Sequence, residues 1–222
     1  MQQDNGDSRE VNITDIAIFI IYTKDSTRRR PNIYTSNNRH QHKQSNTIME
    51  FRKATENDFP SIWEIILQAK QQMQAENRSQ WNENYPIPAT IYGDIEKGIG
   101  YVLENEGHVI AYSAISFDED PAYKNISGKW LTDVPYIVIH RIAVSDTMKN
   151  KGIATKMLQE AEQLAVSNGI FSMRADTKYD NLRMLKVFQK LDMQYCGEVL
   201  MRGEPRRAFE KIIATTKTRP KG

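Results

Sequence analysis

The sequence predicts an α+β domain in which one mixed sheet carries helices on both faces. Three observations lead there. A β-branched run ending at Val144 stops at a short polar turn and restarts as an amphipathic helix at Gly152, giving a strand–loop–helix unit. Two runs, Gly100 to Glu104 and His108 to Phe117, flank Asn105-Glu106-Gly107 and read as a β-hairpin. A second hairpin, Met193 to Met201 with Arg206 to Ile213, closes the pattern after a last helix.

Taken in order, Ile48 to Ala54 alternates apolar and polar residues as a half-buried strand does. Asn57 or Asp58 is placed to cap a helix with Ile62, Trp63, Ile66, Ala69 and Met73 on one face, and Pro60 is tolerated in its first turn. A loop with Trp81, Tyr85, Pro86 and Pro88 leads to a second helix near Thr90 to Lys97. The hairpin, a polar loop and the strand ending at Val144 follow. The helix from Gly152 to about Ser167 buries Ile153, Met157, Ala161, Leu164 and Ala165. It stops at Asn168-Gly169, where glycine accepts a left-handed cap. Ile170 to Ala175 is the next strand and Asn181 to Leu191 the last helix.

At 222 residues and 39% hydrophobic, the chain can bury one substantial core. A net charge of +2 gives no broad footprint for nucleic acid. Residues 1–48 are polar and read as a disordered extension or as a start placed ahead of Met49. A targeting arm, a metal-binding pair His40 and His42 or a docking strand are the functional alternatives, and Arg28-Arg29-Arg30 adds a basic run. The apolar run Ile16 to Tyr22 is too short to cross a bilayer, so no membrane association is expected. The domain is expected over 49–215, followed by a basic tail, 216–222. The single cysteine, Cys196, excludes an intrachain disulfide and suits a reducing cytoplasm; it reads as a small buried side chain. No metal is expected.

The join at Val144 to Thr155 aims free backbone N–H groups at one point, where helix dipole and amide charge favour a phosphate. Lys149 and Lys151 add positive charge there. A P-loop needs G-x-x-x-x-G-K-S/T and a dinucleotide fingerprint needs G-x-G-x-x-G, but Gly152 stands alone. Lys149-Asn150-Lys151-Gly152-Ile153-Ala154 instead resembles Q/R-x-x-G-x-G/A, the pyrophosphate loop of the GNAT superfamily of acyl-CoA-dependent N-acetyltransferases. Lys149 replaces the usual Gln or Arg, keeping charge without the planar fork. Asp180 to Met193 resembles the next GNAT motif, N-x-x-A-x-x-L-Y-x-K-x-G-F. Asn181, Val187, Phe188 and Lys190 stand at the Asn, Leu, Tyr and Lys positions, and Met184 and Asp192 replace Ala and Gly.

The resemblance covers about Met49 to Ile213 and implies a largely antiparallel sheet whose strands splay at an acetyl-CoA cleft. It implies that backbone groups of Ile142 and Val144 pair with pantetheine. The amides of Lys151, Gly152, Ile153, Ala154 and Thr155, beside Lys149, hold pyrophosphate. Asn181 bonds the cofactor from the opposite side, with Phe188 and Lys190 on the same helix. The resemblance also implies that a strand N–H near Ile142 can polarise the thioester carbonyl. In many members the tyrosine at position 188 protonates the departing thiolate, which a phenyl ring cannot do.

Acyl transfer needs a neutral amine, and an alkyl ammonium holds its proton with about 4 to 5 kcal/mol at pH 7. His140 is the histidine beside the loop, and an imidazole titrates near neutrality. Counted back from Val144, it shares a strand face with Val138 and Ile142. In arylalkylamine-type members a histidine here takes part in removing the amine proton; a structural histidine is the alternative. Acceptor-site candidates are Trp81, Tyr85, Tyr112, Tyr123, Trp130, Arg141 and Tyr195, an aromatic wall able to cover alkyl groups or hold a cation. Asp118-Glu119-Asp120 is a further charge feature able to draw in an amine. The expected function is acetyl transfer to a primary amine of a small molecule, amino acid or peptide in a ternary complex. A CoA-binding module with little activity is the alternative, a longer acyl donor a third option, and homodimerisation stays open.

Overall fold

The structure, a computed structural model, describes residues 49–214. The N-terminal extension, with its apolar run, arginine run and histidine pair, and the basic tail lie outside the described residues. The strands are β1 (Glu50–Lys53), β2 (Gly100–Asn105), β3 (His108–Ser116), β4 (Ser127–Gly128), β5 (Ile137–Val144), β6 (Ser172–Thr177), β7 (Gln194–Met201) and β8 (Glu204–Ile212). The helices are α1 (Phe59–Ala75), α2 (Pro88–Glu96), α3 (Ile153–Ser167) and α4 (Leu182–Lys190). All eight strands join one sheet in the order β1-β2-β3-β5-β6-β8-β7-β4. Among the described residues, β5 and β6 form the single parallel pairing.

Strand alternation divides the core between the two faces. Tyr101, Ile115, Ile137 and Ile139 pack with Leu158 and Ala161 of α3 and Phe188 of α4. Val102, Tyr112 and Ala143 point the other way, onto Ile62 and Ile66 of α1 and Ile91 of α2. Each of these isoleucines is fully buried and contributes roughly 1.5–3 kcal/mol by leaving water. The sheet is thus held between two helical layers.

All four helices stop in the same way. Asn77, Gly98, Gly169 and Asp192 take positive φ, and the next residue donates its N–H back to Met73, Asp94, Ala165 and Phe188 respectively. This six-to-one bond is the Schellman stop. It explains two sequence features. Asp192 stands where related sequences carry Gly because the position is left-handed. Ile170 is engaged in the α3 stop, so β6 begins at Ser172, two residues later than the pattern predicts.

Other departures have local causes. Asp58 precedes α1 without capping it, because its carboxylate turns back to accept the Thr55 N–H at 2.8 Å and the Arg52 guanidinium at 2.8 Å. That pairing with Arg52 drives the Asp58 carboxyl down to about 2, against the opposing effect of burial. The two-residue β4 gives no periodicity to read. It pairs with β7 through Gly128 and Gly197, where a Cβ on either would lie 2.2–2.3 Å from a facing carbonyl oxygen.

Candidate active site

β5 and β6 pair only from Ile137–Met173 to Ile139–Ala175, while β5 stays paired to β3 as far as Val144–Ala111. From His140 to Val144 the β6-facing edge of β5 therefore has no strand partner, and alternate N–H and C=O groups along it are open. A bulge sits at the same place. His140 opposes Ala114 and Ala143 opposes Tyr112, so Arg141 and Ile142 together face Ser113 alone. Arg141 takes φ +56°, and the Ser113 hydroxyl donates to the His140 carbonyl at 2.9 Å.

The bulge corrects the expected facing of His140. Ile142 packs with Ile137 and Ile139, whereas Val138 lies on the other face with Tyr123. His140 also lies on that face, with its ring 6.4 Å from that of Tyr123. It shares a side with Val138 and not with Ile142, because one extra residue reverses the alternation. Backbone edge and imidazole are thereby presented to two adjoining spaces.

The first space, of about 500 Å³, lies along the open edge of β5. Its floor includes Ile142 and Val144, and its end is the α3 N-terminus with Gly152, Ile153, Ala154 and Thr155. No side chain caps that terminus. Asn150 and Gly152 are both left-handed, with φ +62° and +79°, a backbone curl that turns amides toward an anion. The Cβ of any residue at Gly152 would meet open space, so it is the backbone angle that requires glycine. Lys149 lines the cleft while bonding Gln72 at 2.6 Å and pairing with Asp146. Lys151 and Lys190 are exposed and do not line it. The cations facing it from α4 are Arg183 and Lys186, one turn apart, which the motif comparison did not single out. Asn181 lines it too; its side chain accepts the Met184 N–H as the cap of α4.

The second space, of about 300 Å³, shares Met73, Ile142, Asn181 and Met184 with the first, so the two communicate. His140 and Asp120 line it, with Nε2 and Oδ2 3.2 Å apart. An ionised carboxylate only accepts, so Nε2 donates and a neutral ring keeps Nδ1 free to take a proton. This bond, with the Ala122 N–H, holds the Asp120 carboxyl below its usual range against the opposing effect of burial. Asp120 belongs to the acidic run noted in the sequence, but its partnership with His140 was not legible there.

Trp81, Tyr85 and Arg141 line this cavity as expected candidates, and Phe188 lines it as well. Arg141 is committed inward: Nε and Nη2 donate to Asp94 at 2.7 and 2.6 Å, and Nη1 donates to the Tyr85 hydroxyl at 2.8 Å. The other four aromatic-wall candidates are corrected. Tyr112 is fully buried and donates to Asp94 at 2.6 Å; burial, with that carboxylate beside it, pushes its phenol far above the usual range. Tyr123 is buried and donates to Asp176 at 2.9 Å. Trp130 bonds the Tyr123 carbonyl, and the Arg174 guanidinium covers its ring at 4.2 Å. Tyr195 is exposed on β7 against Phe209. None of the four lines either space.

Asp176, Arg202 and Arg206 were not singled out in the sequence, yet they line this smaller cavity. Each comes from β6 or the β7–β8 hairpin, far from the recognisable loop in sequence. Among the described residues no helix is long and apolar enough to cross a membrane.

Comparison with known proteins identifies the arrangement. The chain is similar to a GNAT-family acetyltransferase from Streptococcus agalactiae 2603, at 32% identity and TM-score 0.69, over 75% of this chain and 96% of that one. A GNAT-family acetyltransferase from Listeria monocytogenes 4b F2365 shares the fold at 18% identity and TM-score 0.61, over 74% and 95%. The Salmonella typhimurium protein yncA, solved with its cofactor acetyl-CoA, shares it at 15% identity and TM-score 0.55, over 78% and 98%. No curated protein matches the sequence. The model of the acetyltransferase (GNAT) family matches residues 60–193, more than half of the chain. The chain belongs to the GNAT acetyltransferase family and is an acetyl-CoA-dependent acyltransferase.

Proposed function

We propose that this protein transfers the acetyl group of acetyl-CoA to the amine of a small molecule, amino acid or peptide, by direct attack with both substrates bound. The observation that carries this reading is the His140–Asp120 pair at the mouth of the splayed strands, lining the smaller of two communicating cavities. The larger cleft fits the donor. It ends in an uncapped helix N-terminus with two left-handed residues before it, and Lys149, Arg183 and Lys186 face it.

Acetyl-CoA supplies an acetyl thioester, whose C–S bond breaks as the new C–N bond forms. The chain's own groups do the remaining work. Ile142 and Val144 offer their open backbone edge to the pantetheine amides, and the amides from Gly152 to Thr155 hold the pyrophosphate. His140 takes the ammonium proton on Nδ1, and Asp120, bonded to Nε2, holds the ring in that tautomer. Phe188 does not favour the binding-module alternative, because a thiolate of pKa near 8.5 leaves tolerably without an acid. The test is thiol release from acetyl-CoA against a panel of amines, polyamines, amino acids and peptides. Turnover of at least one class supports the reading; CoA binding without thiol release from any class overturns it.

A further inference from the structure

We infer that the acceptor is a small amine that also carries a carboxylate, held by Arg202 and Arg206 at the β7–β8 end of the smaller cavity. The inference rests on the acetyltransferase reading of that cavity and names its substrate class.

Among the described residues, the charges lining the cavity each have a partner of opposite charge or a hydrogen-bonded ring, except Arg202. Asp120 is paired with His140, and Asp176 accepts from Tyr123 at 2.9 Å and from Arg206 at 3.3 Å. Arg141 is neutralised by the two bonds it donates to Asp94. Arg206 is 4% exposed, and its one hydrogen bond among the described residues is that long contact from Nη1; its Nε is enclosed without an acceptor. Arg202 has no carboxylate partner among the described residues and lies over the Tyr85 ring, with 3.4 Å from guanidinium to centroid. Burial of its guanidinium pulls its pKa below the usual range, while the residue as a whole is exposed at the turn. Arg202 without a carboxylate, and Arg206 paired through one long contact with its Nε unsatisfied, leave guanidinium donors free for a planar anion.

The backbone at Arg202 supports the same conclusion. Met201 pairs with Glu204, so Arg202 and Gly203 form a two-residue turn, with φ +52° and +78°. Both central positions are left-handed, which favours Asn, Asp or Gly at the first. Arginine is a poor choice for the turn, and its side chain is directed over Tyr85 at the cavity wall. Local strain of this kind concentrates where a side chain is needed.

Size narrows the class. About 300 Å³ is at the low end for ligand pockets and suits a molecule of amino-acid dimensions. Its ammonium would face His140 and its carboxylate the arginines, so one molecule spans both chemistries.

The experiment compares small α-amino acids, their carboxamides and the corresponding simple amines as acceptors, by thiol release from acetyl-CoA. The acids should exceed the amides in kcat/KM by about tenfold or more, the worth of one charge-assisted hydrogen bond. Arg202→Asn suits the turn better than arginine, so its melting temperature should hold or rise while the acid-over-amide ratio collapses toward one. Arg206→Lys, which keeps the charge but loses the fork, should reduce the ratio less. Equal use of acids and amides by the parent enzyme, or an unchanged ratio in a folded Arg202→Asn variant, overturns the carboxylate site. If no amine is acetylated, the acetyltransferase reading fails separately. Calorimetric binding of the same acids and amides to the CoA-loaded protein then reads the anion site alone, and equal affinities overturn it.

Discussion

The two halves of the cleft are built by opposite means. The larger space, the donor half on the proposed reading, is organised around one short, continuous segment, with Asn181, Arg183 and Lys186 facing it from α4. β5 offers its edge, the next turn curls through Asn150 and Gly152, and α3 begins uncapped. Along that segment the groups offered are backbone amides, so spacing there matters more than side-chain identity. The acceptor half is assembled from side chains on separate segments: Trp81 and Tyr85, Asp120, His140 and Arg141, Asp176, then Arg202 and Arg206. Arg141, Asp176 and Arg206 are fixed by a buried partner of opposite charge, and Asp120 is held by the half-buried His140. One half is a conformation and the other a set of pairings, and they should fail differently under mutation.

The largest effect is expected where a pairing is deepest. Asp94→Asn keeps a partner for the Tyr112 hydroxyl but leaves the Arg141 guanidinium, which is also bonded to Tyr85, without its carboxylate. Breaking a buried pair by removing one charge typically costs about 3–5 kcal/mol. Urea unfolding should show a loss of that order, a large share of a domain's total stability. CoA affinity of the folded fraction should stay nearly constant. An equal collapse of CoA affinity would mean that the halves are not separable.

His140→Gln comes next. It should lower kcat/KM by about 10²-fold or more near pH 7 if general-base catalysis is lost, with CoA affinity unchanged. An acceptor amine of low pKa needs no base and should regain most of the rate; equal impairment with it would make His140 structural. Asp120 adds a pH signature. Its folded pKa is held down, so its contribution to stability is complete above the ordinary carboxylate value near 4 and is lost as pH falls through the lowered one. Acid titration of stability in Asp120→Asn should lack that component, and the loss should be confined to the range below about pH 4.

The same division decides what was legible in the sequence. The element order was readable, because hairpins and amphipathic helices leave local patterns, and so was the loop at Gly152. Asp192, in place of the motif's glycine, takes the left-handed helix stop, a reason that only the backbone shows. What escaped depends on contacts between distant residues. The bulge at Arg141 has no local signal, yet it moves Ile142 off the face of His140. Tyr112, Tyr123 and Trp130 have the composition of a substrate wall, but Asp94, Asp176 and Arg174 draw them into the interior. Lys151 looked like a phosphate ligand from its place in the loop, and the curl turns it outward while Arg183 and Lys186 face the cleft from α4.

Gly152→Asp probes the donor half directly. A side chain at this position meets open space, so the fold should survive the modest strain of a left-handed aspartate. The carboxylate would stand among amides disposed for an anion, and CoA affinity should fall by about 10²-fold, equivalent to losing one or two charge-assisted bonds. Calorimetry reads the affinity and circular dichroism the fold. Unchanged affinity in a folded variant would sink the loop assignment. Acceptor-side signatures, such as the His140–Asp120 acid titration, should be untouched.

The smallest effect is expected at the junction of the halves. Phe188 is 1% exposed, packs on Phe209 with ring centroids 5.0 Å apart, and lines the acceptor cavity beside Asn181 and Met184, which border both spaces. Phe188→Tyr adds one hydroxyl. If the ring's far edge faces the cavity, the hydroxyl meets solvent or substrate, and stability should change by less than about 1 kcal/mol. Turnover should then be unchanged or raised by a small factor, since a restored acid assists a leaving group that already departs readily. If the far edge faces Phe209, the hydroxyl is buried without a partner, and a stability loss of about 1–3 kcal/mol should appear with no gain in rate. Thermal unfolding and single-turnover acetylation on the same variant separate the two outcomes. The first makes position 188 a vacant acid position at the meeting point of the cavities; the second makes it part of the α4 core contact, with water as the proton source for the thiolate.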